Sequence, residues 1–172
     1  MIHIVNTLLH LASQFGYAGI LMLVGLEYAC FPLPSEIVLT FVGMGIAKGH
    51  YTPFLAILGS FLGGILGSLL CYAIGYLGGV PFLEWSKRKF PKTEKTILAL
   101  GEWFDTYGNI AVLFTRIVPL TRTYVSFLAG SQKLPLPVFI VYSSIGIFLW
   151  NSVLMGLGYF VGDNLALIDT LF

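Results

Sequence analysis

Charged side chains are scarce in this sequence. They make up 10% of its 172 residues, whereas a soluble domain, whose surface faces water, carries about 25%. The formal net charge is only +1, so no excess of positive charge favours binding to nucleic acid. Hydrophobic residues instead make up 57% of the chain. This composition excludes an ordinary water-soluble domain and predicts an integral membrane protein in contact with the lipid bilayer.

Cysteine and histidine are also rare, with two and three residues respectively. Cys30 and Cys71 lie in apolar surroundings, without a CxxC pair or a neighbouring histidine. We therefore expect two small core residues, and neither a disulfide framework nor a metal site. The same scarcity argues against an enzyme, because a lipid phosphatase or an intramembrane serine protease would need a histidine beside its reacting group. No cofactor is implied.

Lysine and arginine are absent from the first 16 residues. A secretory signal peptide begins with a positively charged region, so we expect Met1 to be the start of the mature protein. Leu8, Leu9 and Leu11 are interspersed with polar residues. This pattern predicts an interfacial helix over residues 1–16.

Two stretches are long and apolar enough to cross a bilayer. Residues 53–78 and 135–161 contain no charged side chain, and each exceeds the roughly 20 residues that a crossing helix needs. Glycine and serine, including Ser68, recur in the first stretch at spacings that permit close helix packing. A third, shorter crossing is predicted for residues 17–30, and residues 162–172 form a tail.

Two further apolar stretches, residues 31–50 and 108–131, are broken by proline. Pro32 and Pro34 interrupt the first, and Pro119 interrupts the second. Proline removes a backbone donor and breaks a helix, and irregular backbone at membrane depth is tolerated only where it is buried in protein or lines a wet cavity. The pattern therefore predicts two re-entrant hairpins that enter the membrane and return to the same face.

Most of the charge is concentrated between the two halves of the chain. Residues 82–106 mix basic and aromatic side chains, which is typical of an amphipathic interfacial segment. The basic residues are Lys87, Arg88, Lys89, Lys92 and Lys95. Because cytoplasmic loops carry an excess of such residues, we expect this segment on the cytoplasmic side.

The two halves resemble one another. Each has a proline-broken hairpin, at Pro32 and at Pro119, followed by a crossing that ends in a Gly-Tyr pair, at Gly75 and at Gly158. With one crossing per unit, the second copy would enter from the opposite face. The predicted fold is an all-α integral membrane domain over residues 1–172, built as an inverted repeat of a re-entrant hairpin plus a transmembrane helix, with the amphipathic segment between the halves. A chance match of common dipeptides is the alternative.

Four ionisable residues lie within apolar sequence: Glu27, Glu36, Arg116 and Arg122. Each charge costs roughly 2.5–3.5 kcal/mol at the bilayer centre, so we expect them to be paired, hydrated or close to an interface. Salt bridges that tie the hairpins together are one explanation. We favour a functional site, because a buried ion pair is often replaceable by apolar residues without loss of stability. Arginines suit a phosphate group, and glutamates in a low dielectric suit a proton or Na⁺.

At these residues the sequence resembles a known family. The stretch FTRIVPLTRTYVSFLAG, Phe114 to Gly130, resembles the signature of the DedA family, also called VTT-domain or SNARE-associated membrane proteins. LEYACFPLPSEIVLTFVG, Leu26 to Gly43, is similar to the N-terminal element of that family. The resemblance covers residues 15–163. It implies two facing hairpins and a role in moving lipids between leaflets, notably undecaprenyl phosphate or phosphatidylethanolamine, with proton or sodium dependence in some members.

The resemblance also implies roles for single residues. Arg116 and Arg122 match the essential basic positions of the family, and we assign them to the lipid phosphate. Glu27 and Glu36 match its acidic positions, and we assign them to proton or sodium coupling. Glu36 stands where many members carry aspartate, which leaves the coupling ion and the substrate preference open.

We therefore predict a multi-pass transporter of the bacterial cytoplasmic membrane, not an enzyme. Its predicted activity is that of a flippase for undecaprenyl phosphate in carrier-lipid recycling, coupled to proton or sodium. Two alternatives stay open: a flippase or scramblase for phosphatidylethanolamine or another glycerophospholipid, and a proton- or sodium-coupled ion antiporter. The expected partner is a membrane lipid, and a homodimer is left open.

Overall fold

The computed structural model describes residues 2–29, 35–89, 102, 110–117 and 121–171. Six helices follow one another within these ranges: α1 (Ile2–Tyr28), α2 (Ser35–Ala47), α3 (Pro53–Lys89), α4 (Ala111–Ile117), α5 (Thr121–Ser131) and α6 (Leu136–Leu171). No strand occurs in the described ranges, so the predicted all-α class is confirmed there. The hairpin breaks predicted at Pro32, Pro34 and Pro119 lie outside the described residues.

Two of the described helices are long and apolar enough to cross a membrane, Pro53–Gly78 and Leu136–Asn164. They coincide with the predicted crossings of the two halves. Large apolar side chains are exposed along both, which suits helices that contact lipid rather than water. These side chains include Leu62, Leu66, Leu70, Leu149, Val153 and Leu157. Helix α3 continues without a break to Lys89, so the first part of the predicted amphipathic segment extends this helix.

Helix α1 is divided by a kink at Gly16, where φ is 54° and ψ is −127°. A positive φ favours glycine because it has no Cβ. The kink lies at the boundary expected between an interfacial helix and a membrane segment. The part beyond it, Phe15–Tyr28, is shorter than a crossing helix. At 1.5 Å per residue it is about 20 Å long, against about 30 Å for the hydrocarbon core. The helix at the predicted crossing of residues 17–30 is therefore not one of those long enough to span the membrane.

The second part of α1 runs parallel to α3. Gly59, Gly63 and Gly67 of α3 face the main-chain oxygens of Tyr17, Leu21 and Gly25, in that order. Both series advance in the same direction, so the two helices start at the same end. The Tyr17 hydroxyl also accepts a hydrogen bond from the Thr52 amide at 2.8 Å, immediately before α3. The beginning of the membrane segment of α1 thus lies beside the loop that joins α2 to α3.

The two short helices α2 and α5 each pack on the long helix of the other half. Helix α2 packs along α6, and α5 packs along α3. Glycines make both contacts possible: Gly43 faces Gly158, and Gly130 faces the turn of Gly75. A Cβ at any of these positions would collide with backbone atoms of the facing helix. The halves are therefore interlocked through glycines on both the short and the long helices.

The apolar core has two parts, and Arg116 lies beside an aromatic ring of each, Tyr28 of the first and Phe139 of the second. Val24, Leu39 and Ile147 belong to the first part, and Val112 and Val125 belong to the second. Cys71 is a buried core residue as expected, but it is disulfide-bonded, so the expectation of no disulfide was wrong for this residue. No sequence motif marks this bond, because it depends on how the helices pack.

Candidate functional site

Three of the four predicted ionisable residues form one ion-pair group. Arg122, at the start of α5, donates through Nη2 to Glu27 of α1, and the same nitrogen lies 2.9 Å from Oε1 of Glu36 in α2. Glu36 occupies the first turn of its helix, where the helix dipole favours a negative charge. The group therefore ties α1, α2 and α5 together. Its exposure is uneven: Arg122 and Glu27 are buried, whereas the Glu36 side chain is 34% exposed.

The fourth residue, Arg116, has neutral partners. It lies in the last turn of α4, where the helix dipole favours a positive charge, and it is completely buried. Its guanidinium group donates to the hydroxyl oxygens of Ser68 at 2.9 Å, Ser126 at 3.0 Å and Ser143 at 2.8 Å. These serines come from α3, α5 and α6. Among the described residues, no carboxylate lies within ion-pair distance of Arg116.

A glycine provides the space for the Arg116 side chain. A Cβ added at Gly146 of α6 would lie 2.8 Å from Cβ and 3.0 Å from Cγ of Arg116. These atoms belong to the stem of the side chain, next to the backbone, so they have little freedom to move aside. The position of the guanidinium group therefore depends on the absence of a side chain at Gly146.

Tyr28 links the two arginines. Its ring centroid is 5.4 Å from Cζ of Arg116 and 5.7 Å from Cζ of Arg122, distances at which a cation is attracted to an aromatic ring. Its hydroxyl donates to Oδ1 of Asn151 at 3.5 Å, a long hydrogen bond. Both Tyr28 and Asn151 are buried. The Nδ2 of Asn151 has no hydrogen-bond partner within the described part of the chain, an uncommon situation for a buried amide.

The structure brings all four predicted residues together, but it groups them differently from the sequence. We predicted two arginines for one task and two glutamates for another. Instead Arg122 joins the glutamates, and Arg116 is held by hydroxyl groups. The described residues contain no group of three histidine, cysteine, aspartate or glutamate side chains that would hold a metal ion.

Sequence reasoning missed the residues that hold Arg116 and Tyr28. Ser68 was interpreted only as a small packing residue, and Ser126 and Ser143 were not singled out. Serine is common in membrane helices, so nothing in the pattern distinguished these three. Asn151 carried a usable signal, because it is the one amide side chain in the predicted crossing of residues 135–161.

A known domain and several known proteins match this chain over most of its length. The sequence model of the VTT domain matches residues 33–160. An alkaline phosphatase-like protein of Lactococcus lactis is 34% identical over 167 residues, which cover 94% of this chain and 78% of the relative. The undecaprenyl phosphate transporters A of Staphylococcus aureus and Bacillus subtilis are each 31% identical over 162 residues. These matches cover 92% and 94% of this chain, and 80% and 79% of the relatives.

No solved structure gives a significant match. The domain match nevertheless covers most of the chain and includes Glu36, Arg116 and Arg122. Other relatives are named as membrane proteins, in agreement with the two helices of spanning length. The chain belongs to the VTT-domain family of membrane proteins, also called the DedA family.

Proposed function

We propose that this protein moves a lipid with an anionic phosphate headgroup, foremost undecaprenyl phosphate, between the leaflets of the bacterial cytoplasmic membrane. The proposal depends mainly on one observation, the surroundings of Arg116. This residue is a permanent cation, completely buried, with hydroxyl partners and no carboxylate nearby among the described residues. Burying such a charge costs several kcal/mol, so its retention favours a role in binding an anion. Two relatives named undecaprenyl phosphate transporter A support this substrate.

Arg116 suits the phosphate better than Arg122 does. The guanidinium group is planar and donates several parallel hydrogen bonds, a geometry that fits phosphate oxygens. Among the described residues, a phosphate approaching Arg116 would compete with neutral hydroxyl groups, whereas at Arg122 it would compete with two carboxylates. In this proposal Arg116 contacts the phosphate. Arg122, which the sequence analysis also assigned to the phosphate, works with the glutamates.

The group of Arg122, Glu27 and Glu36 is suited to coupling. Glu36 is the most exposed of its members, so it can exchange a proton or Na⁺ with water. Neutralising Glu36 would leave Arg122 paired mainly with Glu27 and would loosen the contact between α2 and α5. Ion movement at Glu36 would thereby be linked to the position of both short helices.

We further propose that the two halves are an inverted repeat of re-entrant hairpins. The membrane part of α1 with α2 would form the first hairpin, and α4 with α5 the second. This revises the expected crossing at residues 17–30, because Tyr17 lies beside Thr52 at the end to which α2 returns. The matching glycine contacts of α2 on α6 and of α5 on α3 support the repeat. Hairpin tips that meet near the midplane are a recurring plan of secondary transporters.

Reconstituted liposomes test the proposed function. Fluorescent or isotopically labelled undecaprenyl phosphate and phosphatidylethanolamine are placed in one leaflet, and their appearance in the other is measured over time, together with any release of inorganic phosphate. We expect faster movement of undecaprenyl phosphate, its loss in Arg116→Ala, and no change in Lys48→Ala, which removes an exposed charge.

The other possible outcomes of this experiment would each favour a different function. Faster movement of phosphatidylethanolamine would select the glycerophospholipid alternative. Movement of protons or Na⁺ without either lipid would select the antiporter. Release of inorganic phosphate that requires Arg116 would favour the chemistry suggested by the name of the Lactococcus relative and would reject a transporter.

A further inference from the structure

The hydroxyl groups around Arg116 have unused hydrogen atoms. Ser68, Ser126 and Ser143 each accept from the guanidinium group, and none of them donates a hydrogen bond within the described residues. Ser60 of α3 and Ser131 of α5 behave differently: Ser60 donates to the main-chain oxygen of Ile57 at 3.0 Å, and Ser131 donates to that of Leu128 at 2.9 Å. Such back-bonding is the usual arrangement of serine within a helix. The three serines at Arg116 therefore present donors that the protein itself does not satisfy.

Among the described residues, the groups left without a hydrogen-bond partner around Arg116 are donors. Besides the three hydroxyl groups, Nε of Arg116 has no acceptor within the described part of the chain. Buried donors without acceptors are unfavourable, and they commonly mark the binding position of a water, an ion or a ligand. A hydroxyl group that accepts from a cation is also polarised and becomes a stronger donor. The three hydroxyl groups, one each from α3, α5 and α6, thus add polarised donors to the positive charge of Arg116.

We infer that Ser68, Ser126 and Ser143 make this site selective for a phosphate monoester over a phosphodiester. A monoester has three terminal oxygens and carries about two negative charges at neutral pH. A diester has two terminal oxygens and one charge. Three polarised hydroxyl groups match the three oxygens of the monoester, whereas a diester leaves one donor facing an esterified oxygen. The inference rests on the proposed function, because it takes Arg116 as the phosphate ligand.

Two lipids that differ by one methyl group test the selectivity. Dioleoyl phosphatidic acid is a monoester, and dioleoyl phosphatidylmethanol is the corresponding diester with the same acyl chains. Binding of each to the purified protein is measured in maltoside micelles, which contain no other phosphate. We expect the wild type to bind the monoester about tenfold more tightly, the effect of one hydrogen bond to a charged group.

Serine-to-alanine variants then test the residues. Ser143→Ala should weaken monoester binding about tenfold and diester binding about twofold or less, so that the ratio falls about fivefold. Ser126→Ala should act in the same way and serves if Ser143→Ala does not elute as a folded protein. Ser60→Ala is the matched control, since Ser60 is equally buried on α3 and its hydroxyl is bonded elsewhere. It should leave both affinities unchanged.

The outcomes separate the inference from the proposed function. Equal losses for the two lipids in Ser143→Ala or Ser126→Ala would overturn the selectivity, because the serines would then only hold Arg116 in place. Unchanged affinities for both lipids in these variants would overturn the selectivity as well. If Arg116→Met abolishes binding of both lipids, the proposed function stands in either case. Wild-type affinities in Arg116→Met would instead reject the proposed function itself.

Discussion

Arg116 and Arg122 are close in sequence, both are buried, and both lie beside the ring of Tyr28, yet their surroundings are opposite. Arg122 is neutralised by Glu27 and lies within ion-pair distance of Glu36. Arg116 is held by three hydroxyl groups on three helices. A buried charge with an opposite partner contributes to the packing of the helices that it joins. A buried charge without one is a cost to the folded state that a bound anion would offset.

The two arginines should therefore respond differently to an apolar replacement of similar size. Arg122→Met leaves Glu27 buried without its cation, so we expect the free energy of unfolding to fall by about 3–5 kcal/mol. Arg116→Met removes a charge that has no ionic partner in the described part of the chain, and we expect a change within about 1 kcal/mol or a gain in stability. Unfolding of both variants in bicelles gives the comparison. Equal destabilisation would show that Arg116 also has an ionic partner in the folded protein.

The two glutamates that pair with Arg122 provide a second comparison, because one is buried and the other is partly exposed. Glu27→Gln should lower the free energy of unfolding by about 3 kcal/mol, because the buried Arg122 loses a charged hydrogen-bond partner. Glu36→Gln should cost less than about 1 kcal/mol, since the Glu36 side chain is 34% exposed and its pairing is screened by water. The pH dependence of lipid transport should be lost in Glu36→Gln if this residue carries the coupling ion. Full pH dependence in that variant would assign the coupling elsewhere.

A change that alters only the space around Arg116 gives a smaller effect. Gly146→Ala places a methyl group against the stem of Arg116, and we expect a loss of about 2 kcal/mol from overpacking, accompanied by slower transport. Gly156→Ala on the same helix is the matched control, because nothing lies within 4 Å of its new Cβ. Since alanine favours a helix more than glycine does, the control should be neutral or slightly stabilised. Similar behaviour of the two variants would mean that Gly146 does not position Arg116.

The features that depend on the bilayer could be predicted from the sequence. The long uncharged runs gave the helices Pro53–Gly78 and Leu136–Asn164, because crossing a hydrocarbon layer imposes a length and a composition. The four charges stood out for the same reason, since each is costly in that environment. The kink at Gly16 also lies where the sequence changes from a mixed to an apolar pattern.

The pairing within the site could not be predicted, because it depends on contacts between distant helices. Nothing near Arg116 indicates that its partners are Ser68, Ser126 and Ser143, which lie on other helices. The parallel course of α1 and α3 was hidden as well, because a hydrophobic run has the same composition in either direction. The disulfide of Cys71 had no motif for a similar reason.

The most direct test of the account is the distance between the phosphorus atom of a bound lipid and each arginine. The chain has three arginines, so Arg88→Lys leaves two signals in arginine-labelled protein. Nitrogen–phosphorus dipolar recoupling by solid-state NMR, in galactolipid bilayers containing undecaprenyl phosphate as the sole source of phosphorus, reports on both. We predict that one guanidinium signal is dephased, at a nitrogen–phosphorus distance of about 4 Å, and that Arg116→Lys removes this signal. Dephasing of Arg122 instead, or of neither arginine, would contradict the account.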